Sequence, residues 1–288
     1  MKILVTGAHG QLGYDVVREL QKRGHDTIGV DIAEMDITDE ESVRSVLTSA
    51  APEAVIHCAA WTAVDAAEDN AEKVYAVNVL GTRYIAQACR RLNAKMMYIS
   101  TDYVFDGKGD KPWEPDQTDY CPLSVYGKSK LEGELAVASA LDRYFIVRIA
   151  WVFGLHGKNF VRTMLNVGRT HDTVRVVCDQ IGTPTYTYDL ARLLADMIET
   201  DKYGYYHATN EGGYLSWYDF TCEIFRLAGY ATKVIPVTTA EYGLSKAARP
   251  FNSRLEKSKL VRNGFTPLPD WKDALARYLK ELENADQG

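Results

Sequence analysis

Residues 2–13 constrain the fold more than any other stretch of this chain. Lys2-Ile-Leu-Val-Thr6 is a short apolar run of strand length that stops at Gly7-Ala-His-Gly-Gln-Leu-Gly13. Leu12, Val16, Val17 and Leu20 then recur at helical spacing as far as Gly24, which suits a helix C-terminus. Strand, glycine turn and helix in that order make a dinucleotide site. Glycines let the backbone approach a pyrophosphate closely, and the free N–H groups and positive dipole end of the helix face it. The spacing is GxxGxxG rather than GxGxxG. A second strand, Asp26 to Val30, ends in Asp31, about where an acid that binds the adenosine ribose belongs. Gly7, Gly10, Gln11, Leu12, Gly13 and Asp31 are thus the expected cofactor residues, with Asp36 and Ile37 beside the adenine.

The rest of the first half alternates strand and helix, the pattern of an α/β chain with a parallel sheet. Asp39 can cap a helix carrying Val43, Val46 and Leu47, and Pro52 resets the chain into a strand from Ala54 to Cys58. Ala59, Ala60 and Trp61 follow at a strand's C-terminal end, where open parallel sheets bind ligands, and join the expected cofactor contacts. A helical stretch from about Asp65 to Leu92 contains Asn78, a poor mid-helix residue that either faces water or holds a bend near the site. The second half is less regular. Strand Phe145–Phe153, helix 159–169 and strand 174–179 lead to helix 188–199, and strand 174–179 is open to returning to the main sheet. A strand near 205–208, helix 217–227, strand 233–237 and an amphipathic helix from Asp270 complete the chain.

Two short segments carry chemistry. Tyr126 and Lys130 are four residues apart in a run that reads as helix, with Ser124 as its cap and Leu123, Leu131 and Leu135 as apolar points. A phenol titrates near 10 and gives up its proton near neutrality only where a cation stabilises the phenolate; Lys130 is that cation. Thr101 and Asp102 stand at the end of strand 95–100, so hydroxyl, carboxylate, phenol and ammonium can meet beside a nucleotide.

Composition excludes other classes. With 288 residues, 46% hydrophobic, the chain can bury a large core. No apolar run approaches the roughly 18 residues of a membrane span, and nothing before Lys2 leaves room for a signal peptide. A net charge of -6 with mixed signs offers no basic face to nucleic acid. Five scattered cysteines without CxxC spacing suggest neither a disulfide frame nor a zinc site, and a reducing cytoplasm is the expected location.

Eight segments together resemble a known family: the glycine loop, Cys58-Ala-Ala-Trp-Thr-Ala-Val-Asp65, Asn78-Val-Leu-Gly-Thr82, Ser100-Thr-Asp-Tyr-Val-Phe105, Tyr126-Gly-Lys-Ser-Lys130, Arg148-Ile-Ala-Trp-Val-Phe-Gly154, Asp179-Gln-Ile-Gly-Thr-Pro-Thr185 and Arg249-Pro-Phe-Asn-Ser-Arg-Leu255. They are similar to the extended short-chain dehydrogenases and, within them, the dTDP-4-dehydrorhamnose reductases, from residue 1 to about 280. The resemblance implies a Rossmann-type doubly wound parallel sheet, residues 1–153, with a smaller, partly interleaved C-terminal substrate domain, residues 154–288. It implies reduction of the 4-keto group of dTDP-4-dehydro-L-rhamnose by either NADH or NADPH, and Asp31, followed by no Arg or Lys in residues 32–36, makes NADH the preferred cofactor. Thr101, Tyr126 and Lys130 are then catalytic, and Asp102, Val104 and Trp151 touch the sugar along with Thr101. Asn159 and Arg249 serve the nucleotide diphosphate. Some relatives are described as dimerising through carboxylates and magnesium; after Pro184 this chain has Thr185-Tyr-Thr-Tyr188, so no metal is carried over and a monomer or homodimer is expected.

Two other readings stand beside this one. The first is an NAD-retaining nucleotide-sugar epimerase or dehydratase, although the Glu that usually follows Thr-Asp in dehydratases of this superfamily is Tyr103 here. The second is a non-catalytic subunit like the regulatory subunit of methionine adenosyltransferase.

Overall fold

A computed structural model describes residues 1–286. Its centre is a six-stranded parallel sheet of β1 (Lys2–Thr6), β2 (Asp26–Val30), β3 (Ala54–His57), β4 (Lys95–Thr101), β5 (Tyr144–Ile149) and, on the far edge, β6 (Gly204–His207). The spatial order is 2-1-3-4-5-6, so the chain turns to one side of β1 and then to the other. Ligands bind in the crevice at such a switch point, here beyond Thr6 and His57.

The strand interiors are mostly apolar because helices cover both faces, with Arg148 in β5 a buried exception. Ile3, Val5, Ala54, Ile56, Met97, Phe145 and Val147 face helix Gln11–Lys22 and helix Thr187–Ile198. Leu4, Val55, Met96, Tyr98 and Ile146 face the helices Glu40–Ala50, Thr82–Leu92 and Val125–Ala140. A smaller lobe packs helices Phe160–Thr170, Trp217–Ala228 and Trp271–Asp286 around Phe153, Tyr186, Phe220 and Tyr278. No helix among the described residues is long and apolar enough to cross a membrane.

Four local features depart from the sequence reading. The run Phe145–Phe153 is two strands, because the backbone turns left-handed at Trp151 (φ 50°) before Val152–Phe153. Strand Thr173–Val177 does not rejoin the main sheet; it pairs in parallel with Lys233–Val237, and β6 takes the edge beside β5. Asn78 is fully buried within a π-helical turn, Ala76–Gly81, rather than facing water. Helix Val125–Ala140 does not bury the leucines as one face: Leu123, just before it, is 40% and Leu135 50% exposed, Leu131 is half-buried against the cluster of Val104 and Leu255, and the inward face carries Gly127, Ser129, Lys130, Gly133, Glu134 and Val137. Glycine is required on that face, since a Cβ at 127 would run into the Tyr103 carbonyl and one at 133 into the Tyr98 hydroxyl. Close approach of the helix to β4 decides its orientation, against the pull of the leucines.

Candidate active site

A cavity of about 700 Å³ opens over the C-terminal ends of β1, β3 and β4. The glycine loop forms its floor. Gly7 is left-handed (φ 65°), and a Cβ there would stand 2.8 Å from the Ala59 nitrogen; one at Gly13 would collide with the Gly7 carbonyl. Gly10 caps helix Gln11–Lys22 without a side chain, and no acid occupies the first turn, so the first-turn amides and the dipole end meet no anion of the protein. Asp31 lines the cavity and braces the loop: its Oδ2 accepts from the His9 amide (3.1 Å) and its Oδ1 from the Ile32 amide (2.9 Å). Asp36 and Ile37 line the same end, and so do Ala59 and Ala60. Trp61 is outside the lining; its backbone N–H donates to the Asn78 Oδ1 (2.8 Å). A cradle that a Cβ would fill, an uncapped helix start and an acid at the end of β2 fit a dinucleotide.

A buried network fixes that end to helix Val125–Ala140. His57, pushed down to about 3 by burial with Lys130 adding to the effect, is neutral and joins the Thr6 and Thr82 hydroxyls. Asn78 donates to the Trp61 carbonyl and to the Ser129 hydroxyl (2.9 Å), and Ser129 donates to the Tyr126 carbonyl (2.8 Å). The π-turn thereby holds the helix on which Tyr126 and Lys130 stand, an arrangement common at functional sites.

Ser124 caps that helix by accepting from the Gly127 amide. Tyr126 and Lys130 both line the cavity next to Thr101, Asp102 and Tyr103. Burial pushes the Tyr126 phenol well up, and the neighbouring Thr101 hydroxyl pulls it back. The Lys130 ammonium donates to the Ile99 carbonyl (2.7 Å) and lies 4.1 Å above the Tyr98 ring. Burial brings Lys130 down to about 7, opposed by the Glu134 carboxylate one turn further on. In this geometry the cation is turned to the strand end, and desolvation dominates the phenol.

The family model described as RmlD substrate binding domain matches residues 1–284. The dTDP-4-dehydrorhamnose reductase of Aggregatibacter actinomycetemcomitans is 42% identical over 289 residues, covering 95% of this chain and 97% of that protein. The chain belongs to the dTDP-4-dehydrorhamnose reductase family. Two solved structures carrying that family's name superpose on it over nearly their whole length. One, from Clostridium acetobutylicum, has a TM-score of 0.95 at 43% identity and covers 98% of this chain and 100% of that one. The other, from Bacillus anthracis and in complex with NADP, has a TM-score of 0.93 at 40% identity and covers 97% and 99%.

The remaining positions suggested by the family resemblance fall in different settings. Trp151 lines the cavity in its left-handed conformation, stacked 3.6 Å from Trp217, with Gly182 leaving room for its ring. Val104 is fully buried against Phe105, Ala150 and Leu255, so its side chain contributes packing. Asn159 caps helix Phe160–Thr170 through its Oδ1, while its Nδ2 is within reach of the Gln11 Oε1, the Gly154 carbonyl and the Tyr278 hydroxyl. The Arg249 guanidinium holds Asp65 (2.6 Å) and the Tyr103 hydroxyl (3.3 Å) beside the cavity rather than lining it. Lys158 and Ser100 line the cavity and were not singled out from the sequence; nothing in the spacing of these two residues marks them.

Asp102 is buried, its Oδ1 accepts from Thr101 (3.0 Å), and its Oδ2, like the Ser100 hydroxyl, has no hydrogen-bond partner. Burial pushes this carboxyl up to about 6, with the Ser253 and Thr101 hydroxyls pulling the other way. The unfolded chain releases this proton near 3.8 and the folded protein near 6. Between those values the folded state holds the extra proton, so stability falls as pH rises, and the full cost is present above pH 6. Asp102→Asn is therefore expected to gain about 2 kcal/mol more, relative to the parent, at pH 8 than at pH 4. Denaturant unfolding at the two pH values checks it; a difference independent of pH would contradict the shift.

Proposed function

We propose that the protein reduces the 4-keto group of dTDP-4-dehydro-L-rhamnose to give dTDP-L-rhamnose, using NADH in preference to NADPH. The observation that carries the reading is the convergence of Thr101, Tyr126 and Lys130 on one cavity with the glycine cradle, in a chain matched to the reductase family over almost its full length. The chemistry a reduced nicotinamide supplies when bound is hydride for the sugar's C4. Thr101 and Tyr126 receive the keto oxygen, and the Tyr126 hydroxyl gives it the proton that completes the alcohol. Thr101 stabilises the developing alkoxide as a positioned donor. The Lys130 ammonium, on the same helix face, favours the phenolate left behind. Asp102 offers its unpartnered oxygen to a sugar hydroxyl, and Trp151 gives the sugar an apolar wall. Arg249, a planar fork suited to phosphate, exchanges Asp65 for the substrate's diphosphate, while Asn159 ties the segment before its helix to Gln11. NADH deuterated at the transferable position tests the assignment: the product is expected to carry deuterium at C4, and product without label would overturn it.

Cofactor preference follows from Asp31. A carboxylate at the end of β2 accepts from the ribose 2'-hydroxyl and repels a 2'-phosphate. Residues 32–36 bring Glu34 and Asp36 and no Arg or Lys. Charge repulsion across water is only about 1 kcal/mol at 4 Å, so the outcome is a preference rather than exclusion. Asp31→Ala is expected to narrow the NADH-over-NADPH ratio of specificity constants by roughly threefold to tenfold. Equal constants in the parent, or an unchanged ratio in the variant, would reduce Asp31 to a brace of the glycine loop.

A further inference from the structure

The segment Gly154–Asn159 crosses from the sheet to the smaller lobe directly over the start of helix Gln11–Lys22. Gln11, the first residue of that helix, donates through Nε2 to the Lys158 carbonyl (3.3 Å) and accepts through Oε1 from the Asn159 Nδ2 (3.1 Å). The His156 ring lies 3.5 Å from the Tyr14 ring, and Gly157 is left-handed (φ 77°), where a Cβ would stand 3.2 Å from the Gln11 Cγ. The backbone of residue 158 is thus pinned beside the glycine cradle, while its side chain is exposed and lines the cavity.

Charge decides what that side chain is for. The charged residues lining the cavity, among those described, are Asp31, Asp36, Asp102, Lys130 and Lys158. Three acids face two lysines, and the Lys130 ammonium is buried at the catalytic end on the Ile99 carbonyl. A dinucleotide pyrophosphate brings two further negative charges to the glycine loop. The uncapped helix start answers only about half a unit of charge. Lys158 is the cation left to complete the site.

We propose that Lys158 is a cofactor-binding residue whose ammonium pairs with the pyrophosphate of NADH or NADPH, so that the strap from the smaller lobe clamps the cofactor onto the glycine loop. The proposal rests on the reading that the cradle holds a dinucleotide. The substrate's own diphosphate shares this chemistry, but Lys158 is tied through its backbone to Gln11 at the cradle, which commits it to the cofactor.

Calorimetric titration of the parent, Lys158→Gln and Lys158→Arg with NADH, ADP-ribose and dTDP tests it. Lys158→Gln keeps the backbone bond to Gln11 and is expected to weaken NADH and ADP-ribose roughly fivefold to tenfold, as for one charge-assisted contact at a solvent-exposed site. The loss is expected to shrink between about 0.05 M and about 0.5 M NaCl, because an exposed ion pair is screened. Lys158→Arg restores most of the affinity, and dTDP binding stays unchanged. Parent-like affinity of Lys158→Gln for NADH and ADP-ribose, a loss insensitive to salt, or a loss confined to dTDP would overturn the role of Lys158. A parent protein that binds neither NADH nor ADP-ribose would overturn the dinucleotide reading itself.

Discussion

Replacing Tyr126 with Phe is expected to lower turnover by roughly 100-fold to 10,000-fold, the range for a lost general acid. The substitution removes one hydroxyl and keeps the ring, which packs edge-on to Tyr103 at 5.4 Å. The helix cap at Ser124, the Asn78–Ser129 link and the Lys130 bond to Ile99 do not use that hydroxyl. Cofactor affinity and thermal stability are therefore expected to stay close to the parent's, and the loss falls on kcat. Burial holds the phenol protonated, the form a general acid needs. Turnover within a few-fold of the parent would remove Tyr126 from the proton transfer.

The largest effect on stability is expected from the ion pair behind helix Val125–Ala140. Glu134 and Arg148 are both fully buried, and the guanidinium meets the carboxylate through Nε (2.8 Å) and Nη2 (2.7 Å). Arg148 also donates to the Pro115 carbonyl and the Tyr120 hydroxyl, and lies over the rings of Phe105, Tyr120 and Tyr205. Removing one partner strands the other charge without water, so Glu134→Ala is expected to cost about 3–5 kcal/mol. Pairing apolar residues instead, as in Glu134→Leu with Arg148→Met, is expected to recover much of that loss. Because Glu134 also holds the Lys130 pKa up, a Glu134→Gln protein that folds is expected to lose the Lys130 charge at lower pH. Denaturant unfolding of the single and double variants reads the first effect; a cost under about 1 kcal/mol for Glu134→Ala would show that water reaches the pair.

What the sequence disclosed was local. The glycine loop, the acid at the end of β2 and the Tyr126–Lys130 face depend on spacings of a few residues that backbone geometry fixes, and they were legible as soon as strand and helix could be told apart; the bonds by which Asp31 braces the loop were not. The orientation of helix Val125–Ala140 was not, because three leucines suggested one face while clearance at Gly127 and Gly133 selects another. The kink at Trp151 was also invisible, since the apolar run continues through it and the stacking partner of its ring, Trp217, lies 66 positions away in the chain by residue number. Pairings such as Arg249 with Asp65, separated by 184 residues, exist only in the folded chain. Lys158 was passed over for the same reason: a single lysine in an irregular segment gains meaning only when Gln11 holds its backbone against the cradle.

Net reduction of a keto sugar is read directly by one assay. Purified protein is mixed with NADH or NADPH and dTDP-4-dehydro-L-rhamnose, and the absorbance of the reduced cofactor is followed together with the sugar product. Oxidation of one cofactor per sugar is expected, with dTDP-L-rhamnose formed in equal amount. An isomerised sugar with the absorbance unchanged, or no reaction in a protein that binds both ligands, would contradict it.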